Sequence, residues 1–360
     1  MISALQIKNK KNCTGCSLCA SICKANAITM SLDKEGFLYP EINDSVCINC
    51  GACVKFCPVL KFPKKLAKLN KTNMQAYAVI NKDIAVRLNS SSGGVFFALA
   101  SEVIKSQGVV FGAKFDSDFS VCHGFATNQQ ELKELTTSKY LQSRIENSFV
   151  KAKEFLEQGK LVLFTGTPCQ TAGLTAFLNK DYSNLIIQDF ICHGVPSPKI
   201  WQEHLAKIRK PFKGKILKIN FRDKSLGWKN YCVSVEFSDG KYLKSHSKDK
   251  FIQAFLRNRI LRPSCYSCNF KGNNRFSDIT LADFWGGGYK KYLSEGCDNK
   301  GVSLLILNTK KGEELLQKIK PLIKLSPVPM KSSLRFNPSY FKSSFKNPLR
   351  IFSFKNKNPQ

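Results

Sequence analysis

Polar and apolar positions along the chain follow two different periods, one marking strands and the other helices. Residues 75–80 alternate with a period of two, as a strand with one buried face does. Residues 95–105 instead space their apolar side chains three and four apart, predicting a helix opened by the small-residue loop Ser90-Ser91-Ser92-Gly93-Gly94. Strands are predicted at 109–115 and 120–126, then helices at 131–135 and 147–158, the second stopped by Gly159. The clearest βαβ unit comes next: strand 161–165, turn Gly166-Thr167-Pro168, helix 169–178, and strand 185–191 running into Cys192-His193-Gly194. After Pro196-Ser197-Pro198 come a helix at 199–209 and a hairpin, 231–237 with 241–245, turned by Asp239-Gly240. Nearer the N-terminus, Asp33-Lys34-Glu35-Gly36 reads as a turn between two short strands within residues 25–46.

The order of elements predicts a small α+β unit at residues 1–60, a lysine-rich linker at 61–74, and an α/β unit at 75–330 built on a mixed sheet with flanking helices. Residues 331–360 form a basic C-terminal tail whose Phe, Lys and Asn lack amphipathic regularity, so packing is expected there rather than a membrane or polymer surface. With 360 residues, 43% hydrophobic and 23% charged, the chain has room for two or three cores and is not a disordered polymer. No run approaches the eighteen or so apolar residues of a membrane span. Residues 1–13 are polar and lysine-rich without an apolar leader core, so a cytoplasmic location is expected. The 56 Lys and Arg outnumber the 26 Asp and Glu, for a formal charge of +30. Because the lysines are scattered, solvated faces account for most of them. Acidic redox partners or anionic cofactors come next, and nucleic acid is not expected.

Fifteen cysteines change the picture, since thiols in a reducing compartment serve metals rather than disulfides. Cys13, Cys16, Cys19 and Cys23 follow C-x-x-C-x-x-C-x-x-x-C, and Cys47, Cys50, Cys53 and Cys57 repeat the run. In the bacterial ferredoxin pattern three thiolates of one run hold a 4Fe-4S cubane and the fourth reaches across to the other. Cys13, Cys16, Cys19 and Cys57 are therefore expected to hold one cluster, and Cys47, Cys50, Cys53 and Cys23 the second. Zinc would use two C-x-x-C pairs and leave cysteines over. The first sixty residues thus predict an N-terminal α+β dicluster ferredoxin-like domain. Clusters of net charge about −2 bring the total to roughly +26 for two or +24 for three.

Further thiols stand in the α/β part. Cys169 begins a helix just past one strand and Cys192 just past the next, so both face the same edge of a parallel sheet. The helix dipole there is expected to favour a thiolate at Cys169. With Cys265 and Cys268 they make four, which is either a third 4Fe-4S site or four unrelated thiols on spacing alone. Cys122, Cys232 and Cys297 read as core or loop residues. The loop Ser92-Gly93-Gly94 either cradles a phosphate with free N–H groups or is a plain loop. Thr137-Ser138-Lys139-Tyr140 and Arg144 have the charge and hydroxyls to hold a pyrophosphate, as solvated loops also do. His193 is either a general acid or a satisfied loop histidine.

Together these motifs resemble the beta-subunit family of coenzyme F420 (deazaflavin) hydrogenases and dehydrogenases. The resemblance rests on the dicluster run, Ser92-Gly93-Gly94, Ser138-Lys139-Tyr140 with Gln142-Ser143, and Gly166-Thr167-Pro168-Cys169-Gln170. It continues through Cys192-His193-Gly194-Val195-Pro196-Ser197 and Cys265-x-x-Cys268 leading to Asp278-Ile279-Thr280 and Asp283-Phe284-Trp285-Gly286. Ala282 departs from the glycine expected before that last motif. The family implies FAD, a third cluster, and cofactor contacts at Ser92, Gly93, Gly94, Ser138, Lys139, Tyr140, Arg144, Gly166 and Thr167, with His193 and Asp283 as catalytic candidates. It implies an iron-sulfur flavoprotein oxidoreductase in which a flavin converts single electrons to pairs. A ferredoxin or other redox protein would donate, and deazaflavin or a sugar-linked intermediate of polysaccharide biosynthesis would accept. The alternative is a non-catalytic electron-relay subunit of a larger redox complex.

Overall fold

The computed structural model describes residues 11–61, 71–272 and 275–354, with the backbone alone at 71–73. Most of the expected linker, 62–70, and the end of the expected tail, 355–360, lie outside the described residues. The two short strands of the N-terminal unit form an antiparallel hairpin, β1 (Ile28–Leu32) with β2 (Leu38–Ile42). One-turn helices carry cysteines on either side of it, Leu18–Ser21 before and Ala52–Lys55 after. Gly15 and Gly51 both adopt positive φ, the left-handed backbone that glycine takes without steric cost.

The body is an eight-stranded mixed sheet in the order β13-β3-β12-β11-β7-β6-β4-β5, as the fold class predicts. Its members are β3 (Lys71–Asn81), β4 (Val109–Phe115), β5 (Val121–Ala126), β6 (Val162–Thr165) and β7 (Leu185–Phe190), with β11 (Ile279–Asp283), β12 (Ser303–Thr309) and β13 (Ile323–Val328). The centre, β4, β6, β7 and β11, is parallel, and the pairs outside it are antiparallel. β8 (Ile216–Asp223), β9 (Cys232–Phe237) and β10 (Gly240–Ser245) form a separate antiparallel sheet. β3 begins four residues earlier than the alternation at 75–80 suggests, and β8, β11, β12 and β13 add strands beyond those predicted.

Alternation puts two cores on opposite faces of the parallel centre. Val110, Leu163 and Ile186 pack against helices Val95–Lys105 and Lys310–Ile319. Val109, Phe111, Val162, Phe164, Leu185 and Ile187 turn the other way, onto helices Ser148–Glu157 and Pro168–Leu178. Cys16 and Leu18 join this second core, so the cysteine-bearing N-terminal unit is packed onto the helix that carries Cys169. A third core lies between the three-stranded sheet and helices Pro198–Arg209 and Lys250–Leu256.

Candidate iron-sulfur and electron-transfer site

Cys13, Cys16, Cys19 and Cys57 surround one recess of about 470 Å3, closed by Leu18, Met30, Pro40 and Pro58. This is the crossed set: three thiols from one run and the last from the other. Burial pushes the Cys16 thiol up to about 12, with Cys57 and Cys13 adding repulsion. Cys19 and Cys57 are raised in the same way. Cys53 is also raised by burial, and Cys50 and Cys23 lie close enough to add to it. Cys47 has its sulfur 3.9 Å from Asn49 Oδ1, and Cys50 is exposed.

A second recess of about 540 Å3 is lined by Cys169, Cys192, Cys265 and Cys268. Adjacent parallel strands deliver the first two: β6 ends at Thr165 before the turn to Cys169, and β7 ends at Phe190 before Cys192. Cys265 sits in the short 3-10 helix Pro263–Ser267 and Cys268 immediately follows it. The expected thiolate at Cys169 is not what the free chain favours. Pro168 occupies the first helical position and Thr167 Oγ1 lies 3.1 Å from the sulfur, yet burial pushes the thiol well above its ordinary value. Desolvating a charge in this pocket outweighs a helix terminus. Cys192 is raised by burial too, and Cys265 is pushed up to about 12.

One wall divides the two recesses. Thr14 lines both. Gln142 Nε2 donates to the Thr14 carbonyl at 3.0 Å, and Arg262 Nη1 donates to Gln142 Oε1 at 2.9 Å. Arg262 is fully buried, donates Nε to the Cys13 carbonyl at 2.8 Å and Nη2 to the Leu38 carbonyl at 2.8 Å, and lies 3.8 Å from Cys13 Sγ. Tyr39 faces its guanidinium at 4.2 Å. Gly15 is required in this wall, because a Cβ there would stand 2.6 Å from Gln142 Nε2 and 2.7 Å from Arg262 Nη1. Four soft thiol donors per recess, with glycine allowing close backbone approach, fit an iron-sulfur cluster better than an oxygen-preferring ion. Among the described residues no three His, Cys, Asp or Glu side chains form a site for a single metal ion. The thiols ring the two recesses instead.

The residues expected to hold a flavin are spread along one side of the sheet. Gly94 caps helix Val95–Lys105 with positive φ, and Ser138 N donates to Ser91 Oγ at 2.7 Å, joining the two small-residue loops. Gly93 N already donates to Ser303 Oγ at 2.9 Å, and Ser92 Oγ donates to the Val302 carbonyl at 2.9 Å. Burial brings Lys139 down to about 7 while Nζ donates to the Thr136 carbonyl at 2.7 Å. Arg144 turns away to Asp116, Glu146 and Ser120, so its charge is neutralised at the edge of β5. Gly166 and Thr167 form the turn leading to Cys169, and Thr167 lines the thiol recess. Thr167 N and Oγ1 both donate to Gln170 Oε1 at 3.0 Å. Tyr140 OH accepts from Arg222 Nη1 at 3.0 Å.

His193 lines the second recess with a buried Nε2 that has no hydrogen-bond partner among the described residues, and Phe255 meets its ring edge-on at 5.1 Å. Asp283, at the end of β11, accepts from Arg222 Nη1 and Nη2 at 2.7 and 3.0 Å and from Trp228 Nε1 at 2.7 Å. Trp228 in turn stacks on Trp285 at 4.7 Å. These donors commit the carboxylate to orienting its neighbours. Sequence reasoning assigned no role to Arg262, Arg222 or Lys224. Lys224 Nζ donates to the carbonyls of Arg87, Ser92 and Lys300, holding the serine loop from below. Local spacing carries no signal for such contacts, though Arg262 standing three residues before Cys265 was available as one.

One thiol recess in the N-terminal unit and a second beyond the ends of β6 and β7 fit a redox protein with an electron-transfer role. The comparisons agree: residues 12–60 match the 4Fe-4S dicluster domain, and residues 159–331 match the family described as the C terminus of the coenzyme F420 hydrogenase/dehydrogenase beta subunit. Residues 159–331 thus resemble the C-terminal part of that beta subunit, and residues 12–60 a 4Fe-4S dicluster domain. Ferredoxin-type protein NapF of Haemophilus influenzae is 46% identical over 44 residues, 12% of this chain and 25% of that protein, so the match spans about a quarter of its length. A solved structure of the F420-reducing NiFe hydrogenase complex from Methanosarcina barkeri is similar at 15% identity and a TM-score of 0.48, over 79% of this chain and 88% of that one. Among the described residues no helix is long and apolar enough to cross a membrane.

Proposed function

We propose that the chain is an electron-relay subunit that passes single electrons between redox proteins within a larger assembly. Two 4Fe-4S clusters would sit on the eight N-terminal cysteines and a third on Cys169, Cys192, Cys265 and Cys268. When bound, the clusters supply reversible one-electron chemistry. The observation carrying this reading is the shared wall: Thr14, Gln142 and Arg262 join the two thiol-lined recesses. The protein's part is to exclude water from the thiols, hold them at fixed separation, and set the local charge through Arg262.

A second reading, an FAD-dependent oxidoreductase acting on deazaflavin or a sugar-linked intermediate, draws on Lys139 and Lys224. Burial brings both down to about 7 beside the joined serine loops, a setting that an anionic phosphate would favour. The engaged Gly93 N–H and the neutralised Arg144 weigh against it.

An oxygen-free inventory of iron, sulfide and flavin separates the two. The relay reading expects about twelve irons per chain and no flavin, falling to about eight in Cys265→Ser/Cys268→Ser. About one FAD per chain would decide for the enzyme. About eight irons in the unaltered chain would remove the third cluster.

A further inference from the structure

After Glu314 the sequence contains no Asp or Glu, yet carries ten Lys and Arg. Part of this acid-free segment forms a strap fastened to residues that line the second thiol recess. Ser343 Oγ accepts from Cys268 N at 2.9 Å, and Ser344 Oγ donates to the His193 carbonyl at 2.5 Å. Lys271 Nζ bridges the carbonyls of Cys192 and Ser339 at 2.6 and 2.9 Å. The strap is thus fastened at, or one residue from, two of the four cysteines. Its inner side chains are Tyr340, Ser343 and Ser344, whereas its outer ones are apolar and basic. Phe341 is 60% exposed and Phe345 66% exposed, and Lys342 and Lys346 beside them are exposed as well.

We propose that this strap is the docking surface for an acidic redox protein, which exchanges electrons with the centre beneath it. The proposal rests on the third-cluster reading given above. One electron crosses per encounter, oxidising the donor and reducing the acceptor, with no bond made and no proton moved. Two features select such a partner. Electron exchange requires close approach to a buried centre, and the strap is hydrogen-bonded to the loops that carry two of this centre's cysteines. Its charge is of one sign, so a negative protein is steered to it, and exposed aromatic rings give the encounter an apolar centre. An anionic bilayer suits the composition less well. Among the described residues from Met330 on, the α-helices Met330–Leu334 and Arg350–Phe354 have five residues each and present no long apolar stripe.

The test uses the full chain with its iron, an acidic low-potential ferredoxin as probe, and two variants, Lys342→Glu/Lys346→Glu and Phe341→Ser/Phe345→Ser. Stopped-flow reduction by the ferredoxin should slow about tenfold or more in the charge-reversed variant at low salt and converge with the unaltered protein at high salt. Carbodiimide cross-links should map to Lys342 or Lys346. The phenylalanine variant should weaken binding while leaving much of the salt dependence. Iron content and the extent of dithionite reduction should be unchanged in both. Unchanged ferredoxin rates in iron-replete variants would overturn the docking assignment. So would sedimentation with phosphatidylglycerol vesicles that only the unaltered chain shows, if ferredoxin rates stay equal. About eight irons per chain would instead remove the third-cluster reading beneath the proposal, a result read independently of any rate.

Discussion

Arg262 concentrates several demands on one side chain. Its guanidinium is fully buried, faces Tyr39, and bonds two backbone carbonyls of the N-terminal unit and the amide of Gln142. Replacing it by glutamine leaves those acceptors unmatched and should cost about 2–4 kcal/mol, read as a lower thermal midpoint. Removing a positive charge 3.8 Å from Cys13 Sγ should also move one iron-sulfur midpoint to more negative potential in an EPR-monitored titration. Arg262→Lys keeps the charge and should recover most of the potential without recovering the stability. A purely structural role would give no such split. His123 makes a different prediction. It is buried, its Nε2–H donates to the Thr165 carbonyl at 2.9 Å, and its ring stacks on Phe164. Burial lowers it to about 4. An unfolded chain therefore binds this proton more readily than the folded one. The stabilisation is complete above about pH 6.5 and is lost as pH falls toward 4, amounting to about 2 kcal/mol at pH 5. Thermal midpoints at pH 7 and pH 5 should converge in His123→Gln relative to the unaltered chain.

At the level of elements, the joint between helix Leu18–Ser21 and helix Pro168–Leu178 fixes how the N-terminal unit sits. Gly173 makes it close, since a Cβ there would lie 3.3 Å from Cys16 Cβ and from Phe149. Gly173→Val should therefore prise the cysteine loop from the helix at a cost of about 1–3 kcal/mol. Faster iron loss to a chelator, with the sheet's circular dichroism retained, would show it; equal loss rates would count against the joint. Elements were legible where one face is buried. Helix Val95–Lys105 and strand β4 fall where their apolar spacing puts them. β12 was not, because all seven of its residues are buried and its apolar run has no period to choose strand over helix. β8 is obscured by irregular pairing around Asn220–Asp223, and β13 carries Pro327, which a sheet edge tolerates because one side needs no donor.

Across the whole molecule, the chain brings together groups that are far apart in sequence. Arg262 reaches a carbonyl 249 residues away, and Arg350 joins Glu35 across 315. Ser197 caps helix Pro198–Arg209 and donates to the Glu35 carbonyl at 2.5 Å, a further tie between the hairpin and the body. Three parts of the chain thereby surround two thiol recesses, and the acid-free C-terminal segment is tied by hydrogen bonds to the rim of one of them.

The sequence by itself determined the cysteine runs, the βαβ unit that carries Cys169 and Cys192 to one sheet edge, and the mixed α/β class. These are local properties: ligand spacing and side-chain period are set by a few neighbouring residues. Only tertiary structure decided that Cys265 and Cys268 join those two thiols, that Gln142 and Arg262 form the wall between recesses, and that burial overrides the helix terminus at Cys169. Such outcomes depend on which distant surfaces exclude water from one another, and no local spacing encodes that exclusion.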